Sequence, residues 1–450
     1  MPDKPAEVER AGIEHIPEDQ RHGAPGRVFT LWFAANLTVA DYVIGVLTVQ
    51  VFGLTVLQAL PVLALGNILA GLALGLSAGM GPKLGFPQML SSRSSFGRKG
   101  NYLFGGLNWI STIGWFTVNT ILGVEAAQTV FPGLNFYAVA TALVAVQIIV
   151  AVYGHDFIQL FEKAMSIILA ILFFGIFVLT IPRISEALSF VPSGGYTAAP
   201  SLGTLGVVLA VSFSYLMSWS PYASDYSRYL PSSTPSRKVA LYALAGGSGA
   251  SFAVEMIGAL VGSLTSGLGF GGLYGLAGPF GPVAILAIIL GAMAANALNI
   301  YTNSLSALVL DIKTKRWVAV VVGGLVGLAL SYAGQVNFEL NYENFLLVLD
   351  YWIMPWLGVV LVDYYVSRRT SVQSSTDARG VDSKALTAYL IAVFASVPFM
   401  VPALHLGYPF GALAYLFRGA DFSYFVSFLV AAGLTYLLRR RTPGLSNATG

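Results

Sequence analysis

The chain has 450 residues, of which 56% are hydrophobic and only 10% are charged, and it contains no cysteine. A typical soluble domain has about 25% charged residues, so this composition excludes a disordered chain, a soluble enzyme and a nucleic-acid-binding protein. The lack of cysteine also excludes disulfides, zinc–thiolate sites and a thiol nucleophile. A mean hydropathy of +0.73 with a net charge of only +3 indicates a polytopic α-helical membrane protein.

Twelve segments of the sequence are long and apolar enough to be predicted as transmembrane helices. A helix needs about 20 largely apolar residues to cross a hydrocarbon core of about 30 Å. The predicted spans, numbered 1 to 12, are residues 30–54, 57–79, 101–130, 136–153, 163–182, 203–223, 239–265, 281–310, 317–334, 344–366, 385–403 and 423–438.

The distribution of basic residues predicts how these spans are oriented. Twelve spans place both termini on one side of the membrane. Of the 24 Lys and Arg residues, only Arg183 and Arg418 fall in loops on the opposite side. By the positive-inside rule both termini are cytoplasmic, in a plasma or inner membrane. Residues 1–28 and 441–450 are then predicted to be solvated cytoplasmic tails.

Spans 1 and 6 contain polar interruptions. Span 1 places Asn36, Thr38 and Asp41 near mid-membrane, and span 6 contains Pro221, which lacks a backbone donor. Each break alone could be a kink packed against neighbours. Matched breaks at the start of two five-helix blocks, 29–184 and 185–366, favour a transporter of inverted repeats with a midplane site. Residues 367–440 would add the last two spans.

Spans 3 and 8 carry polar stripes. At helical steps of three and four residues, each stripe shares one face. The stripes consist of Asn108, Thr112, Trp115 and Asn119 in span 3, and of Asn296, Asn299 and Asn303 in span 8. Single amides in membrane bundles often join neighbouring helices. Two stripes beside two broken helices favour a cavity instead.

The chemistry of these side chains predicts the kind of ligand. Trp115 and Trp219 offer flat apolar faces, and amides at their rims offer both donors and acceptors. Such a set suits a planar heterocycle, since stacking of a base on an aromatic ring contributes about 1–3 kcal/mol. The spans contain no cluster of basic residues, which disfavours a highly anionic substrate such as a nucleotide.

Ionisable side chains within the spans are few, and an intramembrane carboxylate is a functional candidate by default. Asp41 lies in the span 1 break, where it could bind a cation, accept a proton or bond a ligand N–H. Glu255, in the middle of span 7, is a second candidate for proton coupling. The alternative for Glu255 is a protonated carboxyl that bonds a neighbouring helix.

Four motifs make the chain resemble the nucleobase–cation symporters, a family of cytosine, purine, allantoin and hydantoin permeases. The resemblance is strongest to the purine–cytosine branch and covers spans 1 to 10, and more weakly the last two. The motifs are residues 31–36 (LWFAAN), 114–119 (GWFTVN), 218–229 (SWSPYASDYSRY) and 295–301 (ANALNIY).

The resemblance implies a leucine-transporter-like fold, in which five-plus-five inverted repeats are followed by two extra helices. It implies that Trp115 stacks on the base and that Asn119 bonds the ring edge. The aromatic residue of span 6 falls on Trp219 and would stack on the opposite face of the base. Other branches of the family place this aromatic residue earlier, at Phe213 or Tyr215.

The resemblance also assigns contacts in spans 8 and 1. The span 8 amides fall on Asn296 and Asn299, and the span 1 contact falls near Ala40 and Asp41. Spans 1, 2, 6 and 7 would rock against spans 3, 4, 8 and 9.

The coupling ion is left open between a proton and sodium. Sodium-coupled members can show a Ser-Thr pair before the span 8 amides, whereas this chain has Ala294 and Ala295. A sodium site would then need Asn296 and backbone carbonyls of span 1 instead, which places it near Asp41 and Asn296. The candidates for ion coupling are Asp41, Asn36, Asn296 and Glu255.

The sequence therefore predicts a secondary active importer of a neutral nucleobase, cytosine or a purine such as adenine, guanine or hypoxanthine. No cofactor beyond co-transported H⁺ or Na⁺ is expected, and no nucleic acid or obligate protein partner. An alternative substrate is another flat heterocycle, namely a hydroxymethylpyrimidine, a vitamin B6 form, allantoin or a hydantoin. A passive channel and a membrane-embedded enzyme are the rival classes.

Overall fold

The computed structural model of the chain describes residues 9, 11–192, 200–265, 270–336, 338–401 and 409–440, and this part is helical throughout, without strands. The predicted tail at 441–450 lies outside these residues, as do residues 402–403 of span 11. The principal helices are α1 (Gly26–Ala35), α2 (Val39–Gln50), α3 (Val56–Ala78), α4 (Asn101–Val130), α5 (Phe136–Tyr153), α6 (His155–Thr180), α7 (Leu202–Met217), α8 (Ala223–Ser227), α9 (Ser236–Leu264), α10 (Gly281–Val309), α11 (Arg316–Gly334), α12 (Phe338–Leu361), α13 (Ser383–Ser396) and α14 (Ser423–Arg440).

Helices occupy all twelve segments that were predicted to cross the membrane. In the described ranges, eight helical segments are long and apolar enough to span by themselves, and α1 with α2 makes a ninth if the bent pair is one span. The remaining three segments are α4, which is 30 residues long but carries the polar stripe, and the shorter helices α13 and α14. The count of twelve spans stays a prediction.

The two predicted interruptions are present, but they differ in shape. Between α1 and α2 the axis bends by 55°, with Asn36 ending α1 and the Thr38 hydroxyl capping α2. Between α7 and α8 a 3₁₀ turn, Ser220–Tyr222, carries the chain on without a bend of more than 40°. Pro221 lies in the first turn of this segment, where its missing N–H needs no acceptor, so the direction is kept.

The helices pack in two groups, with α12 to α14 alongside them. Helices α1, α2, α3 and α7 pack against one another and around α9, whereas α4, α5, α10 and α11 pack together. Glycines allow α2 and α9 to cross in close contact. A Cβ atom on Gly45 would collide with the carbonyl of Glu255, and one on Gly258 would collide with that of Tyr42. This crossing fixes where the acidic side chains of both helices lie.

The N-terminal segment, residues 9 and 11–25, is packed against one end of the bundle, which corrects the expectation of a solvated tail. Glu9 is only 7% exposed, and its carboxylate accepts hydrogen bonds from the backbone N–H of His155 at 2.9 Å and from the Tyr301 hydroxyl at 3.1 Å. Arg316 lies 3.7 Å away. Buried donors and arginines give the carboxylate partners that replace water, so this segment packs instead of extending into solvent.

Candidate substrate and ion site

Trp115 lies in the middle of α4 and is surrounded by aromatic rings. It is 3% exposed. The ring of Tyr215 on α7 lies edge-to-face with the Trp115 ring, at a centroid distance of 5.2 Å. Two rings of α12 also lie against Trp115, with centroid distances of 5.1 Å for Phe345 and 6.2 Å for Tyr342. The indole N–H of Trp115 has no hydrogen-bond partner among the described residues. The site thus offers a flat apolar surface with one free donor at its edge.

An amide cluster lies one turn from Trp115, where α4, α5 and α10 meet. The Asn119 side-chain N–H donates to the side-chain oxygen of Asn296 at 3.2 Å, and the Asn299 side-chain N–H donates to the same oxygen at 3.4 Å. Asn296 in turn donates to Thr120 at 3.2 Å and to Gln147 at 3.3 Å. The side-chain oxygen of Asn119 is buried without a partner within the described chain. A ligand N–H beside Trp115 could use this acceptor.

Trp219 lies near this cluster but does not face Trp115 directly. Its ring contacts are edge-to-face with Trp32 at 5.4 Å and with Tyr222 at 5.3 Å. Tyr222 donates a hydrogen bond to the side-chain oxygen of Asn299 at 3.1 Å. Trp219 is therefore connected to the amide cluster through Tyr222.

The two alternative aromatics of α7 point in different directions. Tyr215 contacts Trp115, as described above. Phe213 stacks on Tyr424 of α14 at 5.2 Å and lies 5.9 Å from Phe425. The structure therefore corrects the candidacy of Phe213, which packs against the C-terminal helix instead of the site.

Asp41 and Ala40 lie at the start of α2, directly after the break. Asp41 is fully buried, and one carboxylate oxygen accepts a hydrogen bond from the Ser251 hydroxyl at 2.6 Å. The carbonyl of Ala40 accepts from the Tyr342 hydroxyl at 3.4 Å. Thr38, which caps the helix, shares a 2.8 Å hydrogen bond with the Tyr215 hydroxyl. The break is thus connected to the rings that surround Trp115.

Glu255 lies on α9, one turn after Ser251, and is hydrogen-bonded to uncharged polar side chains of neighbouring helices. One carboxylate oxygen accepts from the Asn67 side chain at 2.5 Å and from the Ser212 hydroxyl at 2.9 Å. The other oxygen has no partner within the described residues. Asn67 belongs to α3 and Ser212 to α7, so these bonds, with that between Ser251 and Asp41, join four helices of the first group.

The two residues suggested for sodium lie in separate networks. Asn296 uses its side chain within the amide cluster of α4, α5 and α10, whereas Asp41 bonds Ser251 on α9. Ala294 and Ala295 supply no side-chain oxygens. Asn36 donates to the Trp32 carbonyl at 2.7 Å and keeps its own oxygen unpaired in the described part of the chain. Side-chain hydrogen bonds therefore do not join Asp41 to Asn296 within the described residues, and a sodium site near these two residues stays a prediction.

The outer parts of the polar stripes join helices. Asn108 donates to Ser306 at 2.9 Å, and Asn303 donates to Thr112 at 3.0 Å, so both bonds connect α4 with α10. Only the inner members of each stripe, near Trp115, belong to the candidate site. For the outer members the simpler expectation, interhelical bonding, is the one observed.

Several contributors were not identified from the sequence. They are Gln147, Tyr222, Tyr342, Phe345, Asn67, Ser212 and Ser251. Gln147 and Asn67 were the detectable ones, because each is an isolated amide in an otherwise apolar span. The aromatic and hydroxyl residues occur too widely in this sequence to stand out without a structure.

Comparison with known proteins places the chain among permeases. Residues 15–427 match the sequence profile of a family described as permeases for cytosine/purines, uracil, thiamine and allantoin. The chain is 30% identical to YxlA of Bacillus subtilis, named as a purine-cytosine permease, over 98% of both chains. It is 26% identical to the purine-cytosine permease fcyB of Emericella nidulans, over 80% of this chain and 74% of that protein. These matches confirm the resemblance drawn from the four motifs.

A solved structure shows the same fold. Mhp1, a nucleobase-cation-symport-1 family transporter in a closed conformation with bromovinylhydantoin bound, superimposes with a TM-score of 0.77. The superposition covers 97% of this chain and 95% of Mhp1, at 19% sequence identity. The helical transporter fold is thereby confirmed.

Proposed function

We propose that this chain, which belongs to the family of permeases for cytosine/purines, uracil, thiamine and allantoin, imports a neutral nucleobase together with a cation. The substrate is cytosine or a purine such as adenine, guanine or hypoxanthine. The observation that carries the proposal is that Trp115, in the middle of α4, lies one helical turn from the side-chain oxygen of Asn119, which is unpaired in the described part of the chain. Transport would proceed by alternating access, and the substrate would leave unchanged.

Trp115 and the amide cluster have separate roles in this proposal. The indole face stacks on the base. The free oxygen of Asn119 accepts from a ring N–H, and the indole N–H of Trp115 or Trp219 is available to a ring nitrogen or carbonyl. Asn296 holds Asn119 in place through a hydrogen bond, and Asn299, which bonds Asn296, completes the polar edge. These groups are all uncharged, which suits a neutral heterocycle.

The two helix groups of the fold support the proposed movement. The group around α9 carries the broken helices α1–α2 and α7–α8, whereas the group around α10 carries Trp115 and the amides. Rocking of one group against the other would open the site to each side in turn. We place the protein in the cell membrane with twelve spans, two inverted repeats over 29–184 and 185–366, and both termini in the cytoplasm.

Uptake into proteoliposomes tests this function. Labelled cytosine, adenine, hypoxanthine and uracil would be offered separately, with an imposed sodium gradient or an imposed proton gradient. Accumulation of one base above its equilibrium level under one gradient is the expected result. Saturable uptake without accumulation, or flux that does not saturate, would contradict symport and support a passive channel.

Another flat heterocycle is the second candidate substrate, because bromovinylhydantoin is bound in the structurally similar Mhp1. Hydantoins, allantoin, vitamin B6 forms and hydroxymethylpyrimidine would be tested as competitors of base uptake. Competition by one of these at a lower concentration than any nucleobase would move the assignment to that compound while leaving the transporter fold and site in place.

A further inference from the structure

Two buried carboxylates lie at the crossing of α2 and α9, outside the amide cluster. Asp41 and Glu255 are each 0% exposed, and Ser251, whose hydroxyl bonds Asp41, lies one helical turn from Glu255 on α9. Their shared surroundings come from four helices, since Ser251 bonds Asp41 while Asn67 and Ser212 bond Glu255. Each carboxylate has one oxygen that is hydrogen-bonded and one that is unpaired within the described residues.

Among the described residues, no Lys, Arg or His side chain forms an ion pair with Asp41 or Glu255. The titratable groups that face them are the phenols of Tyr215 and Tyr342. Two adjacent negative charges buried without a cation are strongly unfavourable. The pair therefore holds at least one proton, and the unpaired oxygens are where a proton can be added or removed.

We propose that Asp41 and Glu255 form the proton-binding site of this transporter, and that the co-transported cation is a proton. This inference rests on the proposed function and names its coupling ion. The pair takes up one proton from the outer side and releases it to the inner side, so that only O–H bonds form and break. Because the substrate is neutral, each cycle carries one positive charge inward.

The route from this pair to the substrate site runs through the helix break. Asp41 donates its backbone N–H to the Thr38 hydroxyl at 3.3 Å, and that hydroxyl bonds Tyr215, whose ring lies against Trp115. A change of charge at Asp41 would alter the first turn of α2 and, through it, the position of the Tyr215 ring. Proton binding and base binding would thereby affect each other.

The surroundings fit a proton better than sodium. The Ser251 and Ser212 hydroxyls donate their hydrogens to Asp41 and Glu255, and the Tyr215 hydroxyl also faces Asp41. The residues before the α10 amides, Ala294 and Ala295, supply no hydroxyl ligand.

Proton movement can be measured directly in sodium-free proteoliposomes loaded with a pH-sensitive dye. Adding the transported base should acidify the lumen of vesicles that contain the wild-type chain. With Asp41→Asn or Glu255→Gln we expect base-driven acidification to fall at least tenfold. For Glu255→Gln, base binding, followed by tryptophan fluorescence, and exchange of labelled for unlabelled base should stay within about threefold of wild type, since Glu255 is not among the proposed substrate contacts and neither measurement needs net proton movement.

Glu162→Gln is the matched control, because Glu162 on α6 is also fully buried and neither of its oxygens has a partner among the described residues. This variant should keep proton-driven uptake. Three outcomes would overturn the proposal. Acidification could persist in both Asp41→Asn and Glu255→Gln, it could be lost only in Glu162→Gln, or base uptake could depend strictly on sodium. Absence of both binding and exchange in the wild-type chain would instead refute the proposed function, so the two failures are distinguishable.

Discussion

The molecule contains two buried polar networks that differ in the type of side chain from which they are built. The network of α4, α5 and α10 is made of amides and hydroxyls, centred on Asn296. The network of α2, α3, α7 and α9 is centred on Asp41 and Glu255 and contains the only two carboxylates among these contacts. Amides cannot change their charge, whereas carboxylates can.

This difference separates two tasks that a symporter has to perform. The amide network offers fixed donors and acceptors, which suit recognition of a heterocycle. The acid network offers exchangeable protons, which suit coupling to a gradient. The two networks meet where Tyr215 faces Trp115 and where Tyr222 bonds Asn299. Substitutions on each side, and at the meeting points, should therefore have distinct effects.

The largest effect is expected for Trp115→Ala, which removes the stacking face. Base stacking contributes about 1–3 kcal/mol, and every 1.4 kcal/mol is about tenfold in affinity, so affinity should fall by roughly 5- to 150-fold. Equilibrium binding of labelled base to the purified protein measures this. The control is Trp109→Ala, which removes a half-buried tryptophan from the same helix and should bind normally. Unchanged affinity in Trp115→Ala would refute the stacking role.

A comparison of Asn296→Ala with Asn303→Ala tests whether the amide network has an inner and an outer part. Both changes leave buried partners unpaired, at a cost of about 1–3 kcal/mol each, so both should lower the thermal midpoint in detergent. Only Asn296→Ala should also weaken base binding, because it releases Asn119. Equal loss of binding in both variants would show that the outer stripe belongs to the site after all.

Tyr215→Phe tests the connection between the networks. The ring would remain against Trp115, whereas the hydrogen bond to Thr38 would be lost, at a cost of about 0.5–1.5 kcal/mol. We expect base affinity to change by only a few fold while the number of protons moved per base decreases. Simultaneous measurement of base and proton flux gives this ratio. Phe213→Leu, two residues away but packed on Tyr424, should keep the wild-type ratio.

The smallest effect concerns the N-terminal segment and pH. A ring nitrogen of His22 lies 2.9 Å from the Asp156 carboxylate, and this hydrogen bond raises the pKa of His22 above its ordinary value. A raised pKa means that the contribution of His22 is complete below about pH 6.5 and is lost as the pH rises through the raised value. Hydrogen exchange of residues 11–25, corrected for intrinsic rates, should be slower at pH 6 than at pH 8. The variant His22→Gln should show no such difference.

The sequence was sufficient for the helical transporter fold and for singling out Trp115 with the amides Asn119, Asn296 and Asn299, because the polar residues of each stripe stand out against apolar helices. It did not single out the Tyr342 and Phe345 rings that lie against Trp115. It could not decide between Phe213 and Tyr215. Residues two apart on a helix point about 200° apart, so only the position of α7 against α4 selects one of them. For the same reason the sequence could not show that the side chains of Asp41 and Asn296 take part in different hydrogen-bond networks.

The shape of the span 6 break and the packing of the N-terminal segment were also beyond the sequence. A proline predicts an interruption, but whether it bends the axis depends on where the turn begins. Glu9 appears in the sequence as one charge among many in a polar stretch. Its burial depends on Tyr301 and Arg316, whose proximity only the folded chain reveals.

The position of Glu9 has a consequence for biosynthesis. Its partners Tyr301 and Arg316 are 292 and 307 residues further along the chain. At about 5–20 residues per second, a ribosome needs roughly 15–60 s to make that distance. This segment is therefore synthesised well before its partners and can dock only after α10 and α11 have been made. Until then Glu9 lacks both partners, so the docking of this segment requires that the later helices are already in place.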